Sequence, residues 1–172
     1  MDALPLVDTA PPDGPDAPDA FAGRGDEVRL WLRLLTCTTE IETEVRRRLR
    51  ERFGITLPRF DVMAQLERAP SGLTLSELSR RMMVSNGNLT GLVERLVASG
   101  HIDRRTSVSD RRAQVISLTD VGRAEFRRMA AEHESWIATL FSDLSKKDQE
   151  DLMRLLAKAK LSARHAVAGA RS

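Results

Sequence analysis

Tyrosine is absent from this 172-residue chain, aromatic residues make up 4% of it, and cysteine occurs once, at Cys37. A single cysteine excludes an intramolecular disulfide and suits a reducing compartment. It also leaves no thiol cluster for a metal, and His101, His133 and His165 lie far apart in the sequence. No apolar run approaches the roughly 18 residues that span a bilayer. The N-terminus lacks the basic start and apolar core of a signal peptide. No nucleophile elbow, phosphate loop or carboxylate constellation is present. These gaps lead to the expectation of a cytoplasmic protein that is not an enzyme, with no cofactor, no metal and no membrane contact.

Charge is spread unevenly. Residues 1–23 carry Asp2, Asp8, Asp13, Asp16 and Asp19 and no lysine or arginine, which leaves 27 basic against 20 acidic residues for the rest. The net charge of +2 therefore conceals a basic body, as a phosphate-binding surface requires. The tail at 1–23 is rich in Pro, Ala, Asp and Gly without periodicity and reads as disordered and acidic.

The informative stretch is 74–118. Thr74 with Glu77 has the spacing of a capping box, and Leu75, Leu78 and Met82 share one helical face. Ser85 caps a second helix whose Leu89, Leu92, Val93 and Leu96 form its apolar stripe, and Gly100 ends it. What remains outward is polar and short: Ser85, Asn86, Asn88 and Thr90. Such side chains at a helix N-terminus reach base edges, and asparagine pairs well with adenine in the major groove. Gly87 and Gly91 lie one turn apart, opposite the stripe, at a cost of roughly 1 kcal/mol each relative to alanine. Close approach of the helix backbone to DNA is one return for that cost; a locally frayed helix is the bland alternative. Ile102 then starts a strand, and Val115, Ile116 and Leu118 lie in another. The tip from Thr106 to Arg112 includes Asp110, Arg111 and Arg112. Arginine on a protruding loop suits a narrow, electronegative minor groove, and Asp110 can hold one arginine by a charge-assisted pair. A helix pair with a basic hairpin beside it is a winged helix-turn-helix. The spacing makes Arg81, Arg95, Arg104 and Arg105 phosphate clamps.

The helix at 85–96, the exit through Gly100, Ile102 and Arg104, and the wing Asp110-x-Arg112 followed by Ser117-Leu118-Thr119 resemble the MarR family of bacterial regulators over about residues 26–168. The resemblance implies a homodimer on double-stranded DNA, repressing until a small molecule releases it. Residues 57–66 with 83–88 are further similar to regulators of hydroxycinnamate and related aromatic catabolism. That similarity implies an aromatic acyl-CoA effector such as p-coumaroyl-CoA. The family's effector pocket lies where its first, second and fifth helices meet. Carried over, it draws on Trp31, Leu35, Thr38, Phe60, Met63, Met129 and His133, residue types that equally make plain core. Arg29, Arg33 and Arg59 are candidates for the CoA phosphates.

Around the module, Asp26 to Phe53 reads as one long helix with an apolar stripe from Val28 and Trp31 to Leu49 and Phe53. A helix this long cannot bury itself in one small domain, so part of it is expected on a partner chain. Arg46, Arg47, Arg48, Arg50 and Arg52 crowd its C-terminal end, where they oppose the helix dipole; DNA or ligand binding there is the secondary reading. Pro58 opens a second helix. Thr119 begins a long helix with Phe126, Met129 and Trp136, and Ser145 caps the last one, with Leu152, Leu155, Leu156 and Leu161 on its face. The expected fold is mainly α with a small β-hairpin wing. A winged helix-turn-helix domain occupies 24–168, with a DNA-binding core at 56–118 and dimerisation helices at 26–53 and 119–168. Two alternatives stand beside it: an oxidation sensor acting through Cys37, against which a buried inert thiol is the expected state, and a winged helix used only for protein contacts.

Overall fold

The computed structural model describes residues 25–106 and 114–169. The acidic tail and the wing-tip residues Asp110, Arg111 and Arg112 lie outside the described residues. The element order is α1 (Asp26–Phe53), α2 (Leu57–Glu67), β1 (Leu73–Thr74), α3 (Leu75–Met82), α4 (Asn86–Ala98), β2 (Ile102–Thr106), β3 (Gln114–Leu118), α5 (Asp120–Leu140) and α6 (Lys146–Gly169). Helices thus dominate, with one small antiparallel sheet, as the apolar spacing predicts. The residues fall into two units divided between Glu42 and Thr43.

In the first unit, residues 26–42 of α1 bury no side chain. Trp31 is 60% exposed, and Val28, Leu30 and Leu35 are exposed as well. Cys37, expected to be buried, is exposed. The correction has a simple origin: the period-3.6 pattern marks an apolar face, and in this unit that face has nothing packed over it.

The second unit holds the core. Val45 and Leu49 of α1, Phe60, Val62, Met63 and Leu66 of α2, and Leu78 of α3 are buried with Leu89, Val93 and Leu96 of α4. Ile102, Ile116 and Leu118 seal it from the sheet side, and Phe126, Met129 and Trp136 from α5. Fully burying one such side chain contributes about 1.5–3 kcal/mol. The strands are ordered β1-β3-β2, with Leu73 opposite Ile116 and Ile102 opposite Leu118. The short strand β1 thus pairs with the wing hairpin. α6 buries none of its side chains.

The helix starts follow their capping residues. Thr74 Oγ1 accepts from the Glu77 N–H at 3.2 Å while the Thr74 N–H donates to Glu77 Oε2 at 2.8 Å, completing the capping box. Ser145 and Asp148 repeat the arrangement before α6. Thr119 Oγ1 accepts from Gly122 N–H at 2.9 Å, and its hydroxyl donates to Gly100 O at 2.7 Å. α5 is thereby tied to the end of α4. Gly122 makes this tie possible, since a Cβ there would collide with the His101 carbonyl oxygen.

Two glycine substitutions should therefore have opposite signs. Gly122→Ala should lower stability by about 3 kcal/mol, because the obstacle is backbone that cannot step aside. Gly87→Ala meets nothing within 4 Å and should raise stability by roughly 1 kcal/mol. Thermal denaturation of both variants checks the pair.

Candidate nucleic-acid interface

α4 presents its polar first turn outward. Its N-cap Ser85 sits in extended backbone, and Ser85 Oγ accepts from Asn88 N–H at 3.4 Å. Ser85, Asn86 and Asn88 are exposed, whereas Leu89, Val93 and Leu96 are fully buried. The buried stripe fixes which face is free, so the asparagines cannot turn inward. Thr90 is only half-exposed, and its hydroxyl donates to the Asn86 carbonyl at 2.8 Å. Of the predicted readers, Ser85 and Thr90 thus have their hydroxyls engaged by their own helix. The helix runs unbroken through Gly87 and Gly91, and an added Cβ would meet open space at either. A frayed helix is therefore not what these glycines produce.

The elements that flank α4 and its own far end carry cations. Arg81 closes α3, Arg95 stands near the end of α4, and Arg104 and Arg105 lie on β2, all exposed. Arg105 Nε donates to Asp103 Oδ2 at 3.0 Å. That guanidinium, followed by the Arg104 N–H, holds the Asp103 carboxyl below its ordinary range. On α3, the Thr74 N–H and hydroxyl keep Glu77 below its ordinary value, with Arg80 and Arg81 assisting. The acids near these cations are thus ionised and oriented. Arg111 and Arg112, with the supporting Asp110, belong to the tip outside the described residues.

The arginine run at the end of α1 is a different case. Arg47 binds Glu44 at 2.7 Å and Glu51 at 2.5 Å, and Arg48 shares Glu44 at 2.5 Å. The Arg48 guanidinium also stands 5.9 Å from the centre of the Trp136 ring, and Arg52 reaches Glu132 at 2.8 Å. Arg47, Arg48 and Arg52 thus fasten α1 to α5 and to itself.

The residues predicted for a ligand divide between the units. Trp31, Leu35 and Thr38 are exposed in the first, where the Thr38 hydroxyl donates to Leu34 O at 2.8 Å. Phe60, Met63, Met129 and His133 lie in the second, with the Phe60 ring 5.1 Å from His133 and 5.4 Å from Phe126. Met63 and Met129 are packed core. Burial lowers the His133 pKa. Of the cations suggested for CoA, Arg29 pairs with Asp26 at 3.3 Å and Arg33 also has a partner. Arg59 differs. Its guanidinium donates to the Arg95 carbonyl at 3.3 Å, but its buried Nε has no hydrogen-bond partner. That side chain lines a cavity of about 180 Å³ with Phe53, Ile55, Ser99, His101, Glu125 and Met129. Ser99 and His101 entered no expectation, because their meeting with α5 depends on the fold and not on spacing. Among the described residues no group of three or more His, Cys, Asp or Glu could hold a metal, and no helix is long and apolar enough to cross a membrane.

Residues 53–113 match the sequence description of the MarR family. An uncharacterized HTH-type transcriptional regulator of Bacillus cereus is 31% identical over 130 residues, covering 75% of this chain and 85% of the relative. A MarR family transcriptional regulator from Silicibacter pomeroyi has a similar structure, with TM-score 0.70 and 31% identity over 81% of this chain and 99% of that one. Sco3205, a MarR family transcriptional regulator from Streptomyces coelicolor solved in complex with DNA, is similar with TM-score 0.69 and 26% identity over 78% of this chain and 87% of that one.

The α1 ion network generates an acid-side prediction. Hydrogen bonds from Arg47 and then Arg48 hold Glu44 at about 2, below its ordinary 4.5. A depressed carboxylate contributes stability above its unfolded pKa and loses it as pH falls through the folded one. Glu44→Gln should therefore flatten the fall in melting temperature between pH 4.5 and about 2. An unchanged profile in pH-resolved thermal scans would show that the network adds nothing to stability.

Proposed function

Since this chain belongs to the MarR family of transcriptional regulators, DNA-binding proteins and not enzymes, we propose that it acts as a homodimeric repressor, released from an inverted-repeat operator by a small aromatic effector. One observation carries the DNA half: the exposed amides of Asn86 and Asn88 on a capped helix start whose opposite face is locked in the core. In this reading Ser85, Asn86, Asn88 and Thr90 face the major groove, and Arg81, Arg95, Arg104 and Arg105 grip phosphates. Arg112, with Arg111 beside it and Asp110 in support, enters the minor groove.

The exposed apolar side chains of α1 and, separately, of α6 favour a partner chain. Leu30 and Trp31 on the first and Leu155, Leu156 and Leu161 on the second all stand in the open. Apolar surface of this kind on a regulator is the usual mark of an interface, and a two-fold dimer buries the same patch twice. Two copies would set their α4 helices roughly 34 Å apart, one turn of DNA, so the operator reads as an inverted repeat.

For the effector we propose an aromatic acyl-CoA, of the hydroxycinnamoyl type. Phe60, Met63, Met129 and His133 of the second unit are its proposed surroundings, with Arg59 for its phosphates. The partnerless Arg59 Nε beside the cavity supports an acidic or carbonyl-bearing occupant there. About 180 Å³ is below the roughly 300–1,000 Å³ of pockets that enclose drug-sized ligands, so it takes only a small part of such a molecule.

Two experiments test the halves separately. Arg112→Ala should weaken operator binding by about ten- to a hundredfold, the worth of one good groove contact, with an unchanged melting temperature. Wild-type affinity in that variant would remove the wing from the interface. In a gel shift on operator DNA, p-coumaroyl-CoA should release the protein where free p-coumarate does not, and Arg59→Ala should blunt the release. Binding that ignores both compounds would discard this effector while leaving the DNA reading intact.

A further inference from the structure

One large apolar side chain sits where neither packing nor backbone preference favours it. Met83 is 91% exposed, the highest value among the exposed large hydrophobic residues, and its backbone is left-handed at φ 56°. Among the described residues no other non-glycine has a positive φ. Glycine, or sometimes asparagine, usually takes such a position after a helix, because a Cβ crowds the following carbonyl. Here the conformation is held from both sides. The Met83 N–H donates to Ser79 O, the Val84 N–H reaches the same carbonyl at 3.2 Å, and Ser79 Oγ donates to Val84 O at 2.6 Å. Ser85, the α4 N-cap, follows Val84 directly. The methionine is therefore carried on a fixed turn immediately ahead of the exposed asparagines.

A strained residue whose side chain gains no burial within its own chain points to a use outside it. We propose that Met83 is a specificity-determining contact to DNA, its thioether resting on the C5-methyl group of a thymine at the edge of the bases faced by α4. The proposal rests on α4 docking in the major groove. In that groove the thymine methyl is the apolar feature of the base edges, while the other signals are hydrogen-bond donors and acceptors. Methionine has no charge for a phosphate and no strong donor for a base, but it is unbranched and polarisable, so it fits against a methyl group. An arginine or lysine on the same turn would read the backbone instead; the chemistry chosen here reads one base.

The test isolates that methyl group. Operator duplexes selected by the full chain from a random-sequence library are remade with dT replaced by dU, one position at a time, which removes the C5-methyl alone. The wild-type chain should lose on the order of five- to tenfold in affinity at one symmetry-related pair of thymines. Met83→Gly and Met83→Ala should bind the unmodified operator correspondingly less well and no longer distinguish dU from dT at that pair, whereas Met83→Leu should still distinguish them. Met83→Gly relieves the left-handed strain, so it should melt at or above the wild-type temperature, which separates lost contact from lost folding. A methyl penalty equal in wild type and Met83→Gly, or no thymine with a penalty, overturns the assignment. Docking of α4 is tested by itself with Asn88→Ala, which should weaken binding of the unmodified operator while leaving the dU penalty at the thymine pair; wild-type affinity in that variant overturns the docking and not the methyl contact, so the two can fail separately.

Discussion

The geometry of this molecule depends on the junction where α4 ends and α5 begins. The Thr119 N–H donates to His101 O at 3.0 Å, the Thr119 hydroxyl to Gly100 O at 2.7 Å, and Gly122 lets the helix start lie directly against the His101 backbone. Gly100, at φ +72°, supplies the left-handed turn that brings the chain there. β3 runs into this junction as well, since Leu118 pairs with Ile102 just before Thr119. Three elements therefore meet through backbone groups, which cannot repack as side chains do. The end of α4, the base of the wing and the first turn of α5 hold their relative positions by backbone pairing together with the Thr119 hydroxyl, which donates to the chain at Gly100 and caps α5.

Charge is used in two ways along the same chain. At the end of α1, arginines are matched to Glu44, Glu51 and Glu132, and Arg48 and Arg128 also lie over the Trp136 and Phe53 rings. Exposed pairs of this sort are worth little one by one, but here several share carboxylates and aromatic faces between α1 and α5. Around α4, by contrast, Glu77 completes a capping box and Asp103 orients Arg105, while Glu94 stands exposed on the helix itself. Positive charge left over in that region is what a polyanion meets. A count of arginines cannot separate the two roles; the positions of the glutamates do.

Much of this was legible because it is local. Capping residues, the 3.6-residue stripe of α4, the glycine after it and the strand alternation each depend on a few neighbouring residues, and Thr74, Ser85, Gly100 and Thr119 all appear where their chemistry places them. The apolar face of α1 was legible too, but its local burial was not: periodicity reports that a face is apolar, not what covers it, and so Cys37 proved exposed. Met83 escaped notice because a left-handed methionine has no sequence signature; only glycine or asparagine would have announced that backbone. Ser99 and His101 escaped because only the fold brings the α4–β2 connection against Arg59 of α2 and against α5, and neither residue carries a motif; Arg59 was picked out, but not for this cavity.

That last group bears on how an effector could reach DNA. The His101 ring accepts or donates with Ser99 Oγ at 2.6 Å, and both residues line the cavity beside Arg59. The carbonyl of the same His101 receives the Thr119 N–H and hydroxyl. Arg59 meanwhile holds the Arg95 carbonyl in the last turns of α4. An occupant drawing the Arg59 guanidinium toward itself competes with that bond, and one touching Ser99 or His101 presses on the junction with α5. Within the proposed function, this is a route of one residue's thickness from cavity to recognition helix. It requires differential binding to two positions of α4 and no contact between effector and DNA.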